Sequence, residues 1–340
     1  MPFEMLLVVL FFIAVAASLY SAVHTGPLRH VGTFRLRRGD RVFADVAPGV
    51  VPATPETAPV RVVRRGEQQP PLPVRFEPPR DALPEHAGGL VRRRPLPDDI
   101  AAAVLAMAVE GYYRLEYTAT DARTGRLRSM TGKTISGWYI VRGRQDKDPA
   151  ELDEFRWRVY DTVFGAGRRM PLEVVKNSLR EERDALLTLL DAERFDRGWY
   201  ENTERAARTP IGSALAVQVE GFKEYVRTAE RRPLALEEAA GVFSRYLPWA
   251  TAFGIARVWA AHFTREMRGV EAGALSAAWS VDLAWFSGVD LQSFGSLADA
   301  GGLVGDVIAD FVDSVGDLAS DLGDLGSDGG DGGDGGDGGD

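Results

Sequence analysis

The chain has 340 residues, 45% of them hydrophobic, which is enough for two or three small domains with real cores. It contains no cysteine, which excludes disulfides, thiolate catalysis and cysteine-ligated zinc. The net charge of −9 hides a polarity: from Gly269 onward there are 15 acids and no Lys or Arg, leaving 34 acids against 40 bases in residues 1–268. A basic body with an acidic tail is suited to two kinds of partner, or simply to solubility.

Met5 to Val23 is an uncharged run of nineteen residues, close to the ~20 that cross a bilayer core of about 30 Å. A cleaved signal peptide is the competing reading. It expects a basic start, whereas Met1-Pro2-Phe3-Glu4 has none, and a cut after Ala14-Val15-Ala16 would split the run. Residues 1–25 are therefore expected to be a retained transmembrane anchor. Arg29, Arg35, Arg37, Arg38 and Arg41 follow, opposed only by Asp40. Basic flanks stay in the cytoplasm, so the expected topology is single-pass, amino terminus outside, body inside.

Residues 26–80 hold ten of the nineteen prolines and ten arginines against five acids. Proline opposes regular helix, so a linker is expected, with its basic residues beside anionic lipid. Thr33 to Val46 alternates apolar and polar residues around Arg38-Gly39-Asp40, which predicts a short hairpin. Residues 81–145 read as a winged-helix-like unit: a short turn near Pro84–Leu90, an amphipathic helix over Pro97–Gly111, and strands at Tyr112–Tyr117 and Thr134–Val141. In the helix, Ile100, Val104, Met107 and Ala108 share one face, Asp98 and Asp99 favour the positive end of the dipole, and Gly111 supplies the stop.

Residues 148–201 read as a second helical unit, with helices over Glu151–Phe164 and Leu179–Phe195 and a core of Leu186, Leu187, Leu189 and Leu190. Its Gly198-Trp199-Tyr200 echoes Gly111-Tyr112-Tyr113, as a degenerate copy of the first unit would. Residues 211–268 predict helices at Ser213–Glu230, Glu237–Tyr246 and Pro248–Thr264, the last opening on proline. Residues 269–325 hold an acidic amphipathic segment in which Leu303, Val307, Phe311, Val315, Leu318 and Leu322 recur every three or four positions. Residues 326–340, a Gly-Gly-Asp tract, are expected to be disordered. The fold class is mainly α with small β-hairpins, α+β.

From Gly221-Phe222-Lys223-Glu224-Tyr225 through Thr228-Ala229-Glu230, Phe243, Tyr246-Leu247-Pro248-Trp249-Ala250, Phe253-Gly254 and Trp259, the chain resembles the C-terminal region of the DUF2207 family of predicted bacterial membrane proteins. Pro78-Pro79 through Leu90 and Asp99 to Glu116 resemble the segment that the family carries between its membrane helix and its cytosolic helical part. The resemblance covers about residues 75–268. It implies a reduced form, one anchor plus the cytosolic part, without the large extracytoplasmic β-rich domain usual in the family. Residues 202–219 contain Glu204, Arg205 and Arg208, so they cannot span. The resemblance brings no catalytic residues.

Individual motifs point to no reaction. Thr131-Gly132-Lys133-Thr134 looks like the end of a phosphate-binding loop, but position 127 is Leu where the first glycine belongs. His24, His30, His86 and His262 lack metal-ligand spacing, and no nucleophile elbow occurs. No catalytic, cofactor or metal residue is expected, and neither a cofactor nor a small-molecule substrate is evident. Arg92-Arg93-Arg94, with Arg123, Arg126, Arg128 and Lys133, are placed to meet phosphate, yet the helix after Pro97 offers no Lys, Arg, Asn or Gln to base edges. The expected function is a membrane protein presenting an interaction module to a protein partner, in contact with the bilayer through its anchor. A membrane-tethered nucleic-acid binder is the alternative.

Overall fold

The computed structural model describes residues 36–65, 67, 72–117, 138–143, 146–165, 167–202, 206–229, 236–259 and 286–287. The chain divides into two compact units, Met1–Leu36 and Arg37–Asp340, and the elements that follow belong to the second. The anchor over 5–23, residues 123–134 with the phosphate-loop-like motif, His24, His30, His262, the acidic segment 297–325 and the tail all lie outside the described residues. No helix among the described residues is long and apolar enough to cross a membrane.

The centre of the body is α1 (Pro97–Glu110), bounded as its sequence predicts. Pro97 takes the first helical position, and Gly111 ends the helix with φ 89°, a conformation that suits glycine. The expected amphipathic character is not what forms: Asp99 through Ala108 are all buried. The reason lies in Ala101, Ala102, Ala103, Ala106 and Ala108, whose small side chains let neighbours approach on every side. Those neighbours are the turn at Pro84–His86, α2 (Glu154–Phe164), α4 (Arg183–Asp196) and α6 (Leu236–Ala252).

After Gly111, β3 (Arg114–Tyr117) pairs antiparallel with β4 (Trp138–Val141), Arg114 opposite Val141, so the predicted hairpin is present. Two further strands join it. β5 (Arg169–Pro171) pairs antiparallel with β4, and β6 (Phe286–Ser287) lies parallel to β3, giving the order β5-β4-β3-β6. The strand β5 comes from the stretch read as a separate second unit, so one sheet draws on both.

Asp153 caps α2 by accepting from the Arg156 N–H at 2.8 Å. The single helix expected over Leu179–Phe195 is two, α3 (Leu172–Glu181) and α4, broken at Glu182. Leu186 and Leu190 enter the core, while Leu187 and Leu189 are only half-buried. α4 ends on Gly198, φ 67°, followed by buried Trp199 and Tyr200.

α5 (Pro210–Ala229) and α6 complete the body. Pro248 does not start a helix: it lies inside α6. There Thr251 Oγ1 donates to the Leu247 carbonyl at 3.0 Å. Phe222, Phe243, Tyr246, Trp249 and Trp259 are buried, with Phe222 centred 4.9 Å from Tyr246 and 5.6 Å from Trp249 in edge-on contacts.

The segment read as a linker is partly folded onto this body. β1 (Arg41–Phe43) pairs antiparallel with β2 (Val60–Val62). Residues 33–35 of the predicted hairpin lie outside the described residues; Arg38-Gly39-Asp40 forms a turn, closed by the Asp40 N–H on the Arg37 carbonyl at 3.0 Å. Gln218 of α5 donates to the Gly49 carbonyl at 2.7 Å, and the Arg75 N–H to the Gly221 carbonyl at 3.2 Å.

Candidate functional site

The irregular segment 83–93 carries a concentration of buried charge. It opens with a 3-10 turn at Pro84–His86, continues as a π-turn at Gly88–Arg92, and ends at Arg93 with φ 68°. Such a segment leaves backbone groups without a regular ladder, and buried groups must find partners elsewhere. The partners come from six other parts of the chain.

Asp99, fully buried in the first turn of α1, accepts from the Gly88 N–H at 3.0 Å, the Leu96 N–H at 2.7 Å and Arg92 Nη2 at 3.0 Å. Burial pushes its carboxyl up to about 7, against the opposing pull of Arg92 and the two N–H groups. Arg92 also reaches the Ala252 carbonyl at the end of α6, at 3.0 Å. Gly88 leaves the room: a Cβ there would sit 1.9 Å from Asp99 Oδ2.

Asp40 is buried between Arg93 and Arg208 and also accepts from the Arg37 N–H at 2.8 Å. Burial alone would raise its carboxyl, but Arg93, that N–H and Arg208 outweigh it and hold the group below the usual range. Arg208, just before α5, donates to the Leu90 carbonyl at 2.5 Å, the Val91 carbonyl at 3.0 Å and the Tyr200 hydroxyl at 3.1 Å. That hydroxyl donates onward to the Gly89 carbonyl at 2.8 Å.

At the other end, Glu85 pairs with Arg156 of α2, which also holds Glu110 at 2.7 Å. Burial would lower the Arg156 guanidinium, but the two carboxylates overcome it and the net shift is upward. His86 Nδ1 accepts from the Leu83 N–H at 2.9 Å, which places a proton on Nε2, 3.3 Å from Glu193. Burial raises Glu193, but His86 and Arg197 pull it lower on balance. Sequence reasoning missed this seam. The Gly88-Gly89 pair beside Glu85, His86 and three arginines was its one local signal.

The seam alters the nucleic-acid alternative. Arg92 and Arg93 are turned inward onto Asp99 and Asp40, and of the three only Arg94 is exposed. Among the described residues no group of three or more His, Asp or Glu is arranged to hold a metal ion.

A second feature is exposed. α2 and α4 flank a shallow groove of about 550 Å³ lined by Glu154, Trp157, Arg158, Asp184, Ala185, Thr188 and Leu189. Trp157 is 46% exposed there. Arg158 is held at 2.7 Å by Glu182, while the Asp184 side chain is 84% exposed beside Arg183.

Residues 198–263 match the family model of the DUF2207 C-terminal domain, described as a predicted membrane protein. The match begins at the glycine that ends α4 and takes in Tyr200, Arg208, α5 and α6, so the matched stretch supplies one side of the seam. No curated protein matches the chain, and no solved structure does.

Proposed function

We propose that this chain, which carries the C-terminal domain of a family of predicted membrane proteins, is a single-pass membrane protein. Residues 5–23 anchor it, and its body is a cytosolic, winged-helix-like interaction module that works by contact rather than catalysis. The observation that carries the contact reading is Trp157, a large aromatic left 46% exposed in a groove with a charged rim. Tryptophan is over-represented among residues that dominate binding energy, in just this setting of an apolar centre and polar rim. The partner is a protein segment bearing an apolar side chain next to Lys or Arg, complementary to Glu154 and Asp184.

Two measurements test this. The absence of cysteine makes a single Val258→Cys variant a clean topology probe, since Val258 is 53% exposed. A cytosolic body predicts labelling by an impermeant maleimide only after the cells are opened; labelling of intact cells would reverse the orientation. A photo-crosslinking residue at 157 is then compared with one at 174, an equally exposed apolar position on α3. A discrete adduct from 157 alone, suppressed by Asp184→Lys, supports docking in the groove. Equal adducts from both positions, or none, overturn it.

A further inference from the structure

We infer that the β1–β2 ribbon, far from being only a tether, is a docking surface for the anionic lipid of the membrane that holds the anchor. This rests on the anchored reading above.

The ribbon has two unlike ends. One end brings together the turn at 37–40 and the exit of β2, joined by the Gly39 N–H on the Val63 carbonyl at 3.2 Å and the Val63 N–H on the Asp40 carbonyl at 2.8 Å. Arg37, Arg38, Arg41, Arg61, Arg64 and Arg65 cluster at this end, all exposed. Arg41 is met by Glu201 and Arg61 by Glu67. Among the described residues Arg37, Arg38, Arg64 and Arg65 have no carboxylate at ion-pairing distance, and Asp40 is buried and spent on Arg93 and Arg208. The loop at the opposite end carries Asp45 and Glu56 instead.

The ribbon also carries exposed apolar side chains: Val62, at the basic end, is 52% exposed and Val60, next to the loop, 45%. The pairing of Arg41 with Val62 and Phe43 with Val60 puts both valines on the face that buries Phe43. Arg61, Val62, Arg64, Arg65 and Glu67 line a shallow cavity of about 590 Å³, roomy enough for a phosphate-bearing headgroup. Guanidinium groups around a concavity with a valine in its wall match the acyl–headgroup boundary: anion outside, hydrocarbon beneath. Only thirteen residues separate Val23 from Arg37, so at about 3.5 Å per residue the tether keeps this surface within reach of the bilayer the anchor enters. Basic groups beside a membrane are attracted to its anionic leaflet.

The test uses the full chain reconstituted in vesicles, with an environment-sensitive fluorophore on Val62→Cys. Vesicles of phosphatidylcholine alone are compared with a mixture of phosphatidylcholine and phosphatidylserine. The expected result is a blue shift in the mixture only. It should reverse when salt near 1 M shortens the Debye length to about 3 Å, and it should vanish in the Arg38→Ala, Arg64→Ala, Arg65→Ala variant. The same label on Val174→Cys, on α3, should not respond, and an unchanged urea midpoint for the triple variant would show that the fold survives. Identical emission in both vesicle types overturns the inference. A shift produced by duplex DNA and not by vesicles also overturns it, in favour of nucleic acid. Extraction of the chain by alkaline carbonate would sink the anchor instead, and a charge-dependent shift seen before extraction would still support the ribbon.

Discussion

Replacing Gly88 with alanine separates a packed polar seam from a merely decorative one. A Cβ at this position would lie 1.9 Å from Asp99 Oδ2, 2.7 Å from Arg92 Nη2 and 2.7 Å from the Asp99 carboxyl carbon. Restoring ordinary contact near 3.4 Å requires the carboxylate to retreat by about 1.5 Å. Its bond from the Leu96 N–H, now 2.7 Å, then passes beyond hydrogen-bonding range, as does the bond from Gly88 itself. A fully buried carboxylate loses its donors, and breaking a buried pair in this way costs about 3–5 kcal/mol. Gly89 is the matched control. It lies in the same turn, a Cβ there meets nothing within 4 Å, and its φ is not positive. Gly89→Ala should therefore be neutral or stabilising by up to about 1 kcal/mol through the unfolded chain. Urea denaturation of the purified full chain, followed by tryptophan fluorescence, reads both variants. If Gly88→Ala falls within about 1 kcal/mol of Gly89→Ala, the reasoning about the seam is wrong.

Other expectations can be checked in the same assay. Arg208→Lys keeps the charge but loses the planar fork that spans Leu90, Val91 and Tyr200, and should cost about 3–5 kcal/mol; a cost below 1 would show the fork is dispensable. Tyr113→Phe removes the bond its hydroxyl donates to the Val104 carbonyl at 2.7 Å; that carbonyl keeps its helical partner, so the loss should be about 0.5–1.5 kcal/mol. Trp157→Ala should leave the unfolding free energy within about 0.5 kcal/mol while abolishing the adduct from a photo-crosslinking residue placed instead at Thr188, another residue of the groove. Because burial raises Asp99 to about 7, the folded chain binds a proton between pH 4 and 7 that the unfolded chain has released. Stability should thus fall as pH rises through that window, by up to about 4 kcal/mol. Denaturation at pH 5, 6 and 7 should show this slope flattened in Asp99→Asn, and an unchanged slope would assign it to other groups.

Local rules carried α1 and the β3–β4 hairpin because their boundaries are chemical: proline and aspartates open the helix, a left-handed glycine closes it, and alternation marks the strands. The same rules failed where a competing force decided. Pro248 reads as a helix start, yet Phe243, Tyr246 and Trp249 are buried together on both sides of it, and that apolar face carries α6 through. The break between α3 and α4 has neither glycine nor proline to announce it. β6 is two residues long, paired to a strand about 170 positions away, and no periodicity marks so short a segment.

The seam was illegible for a different reason. Arg92 and Arg93 in sequence look like the solvated basic patch of a nucleic-acid binder, because what neutralises one of them is distant. Arg93 meets Asp40, 53 positions upstream, and Asp40 meets the Arg208 backbone 168 positions downstream. Composition cannot show that a charge run is turned inward; only the topology can. This also explains why buried charge is tolerable here. An apolar replacement of similar size would avoid desolvation, but it would leave the Leu90 and Val91 carbonyls without donors. The guanidinium of Arg208 answers both carbonyls while its N–H holds Asp40. One residue of the stretch that matches the family model thereby fixes the π-turn and the base of the ribbon at once. On this argument Asp40→Ala should cost more than an exposed acid such as Asp45→Ala by at least about 2 kcal/mol, since it leaves Arg93 and Arg208 buried against each other. Equal effects would mean that the ribbon is not held by this charge.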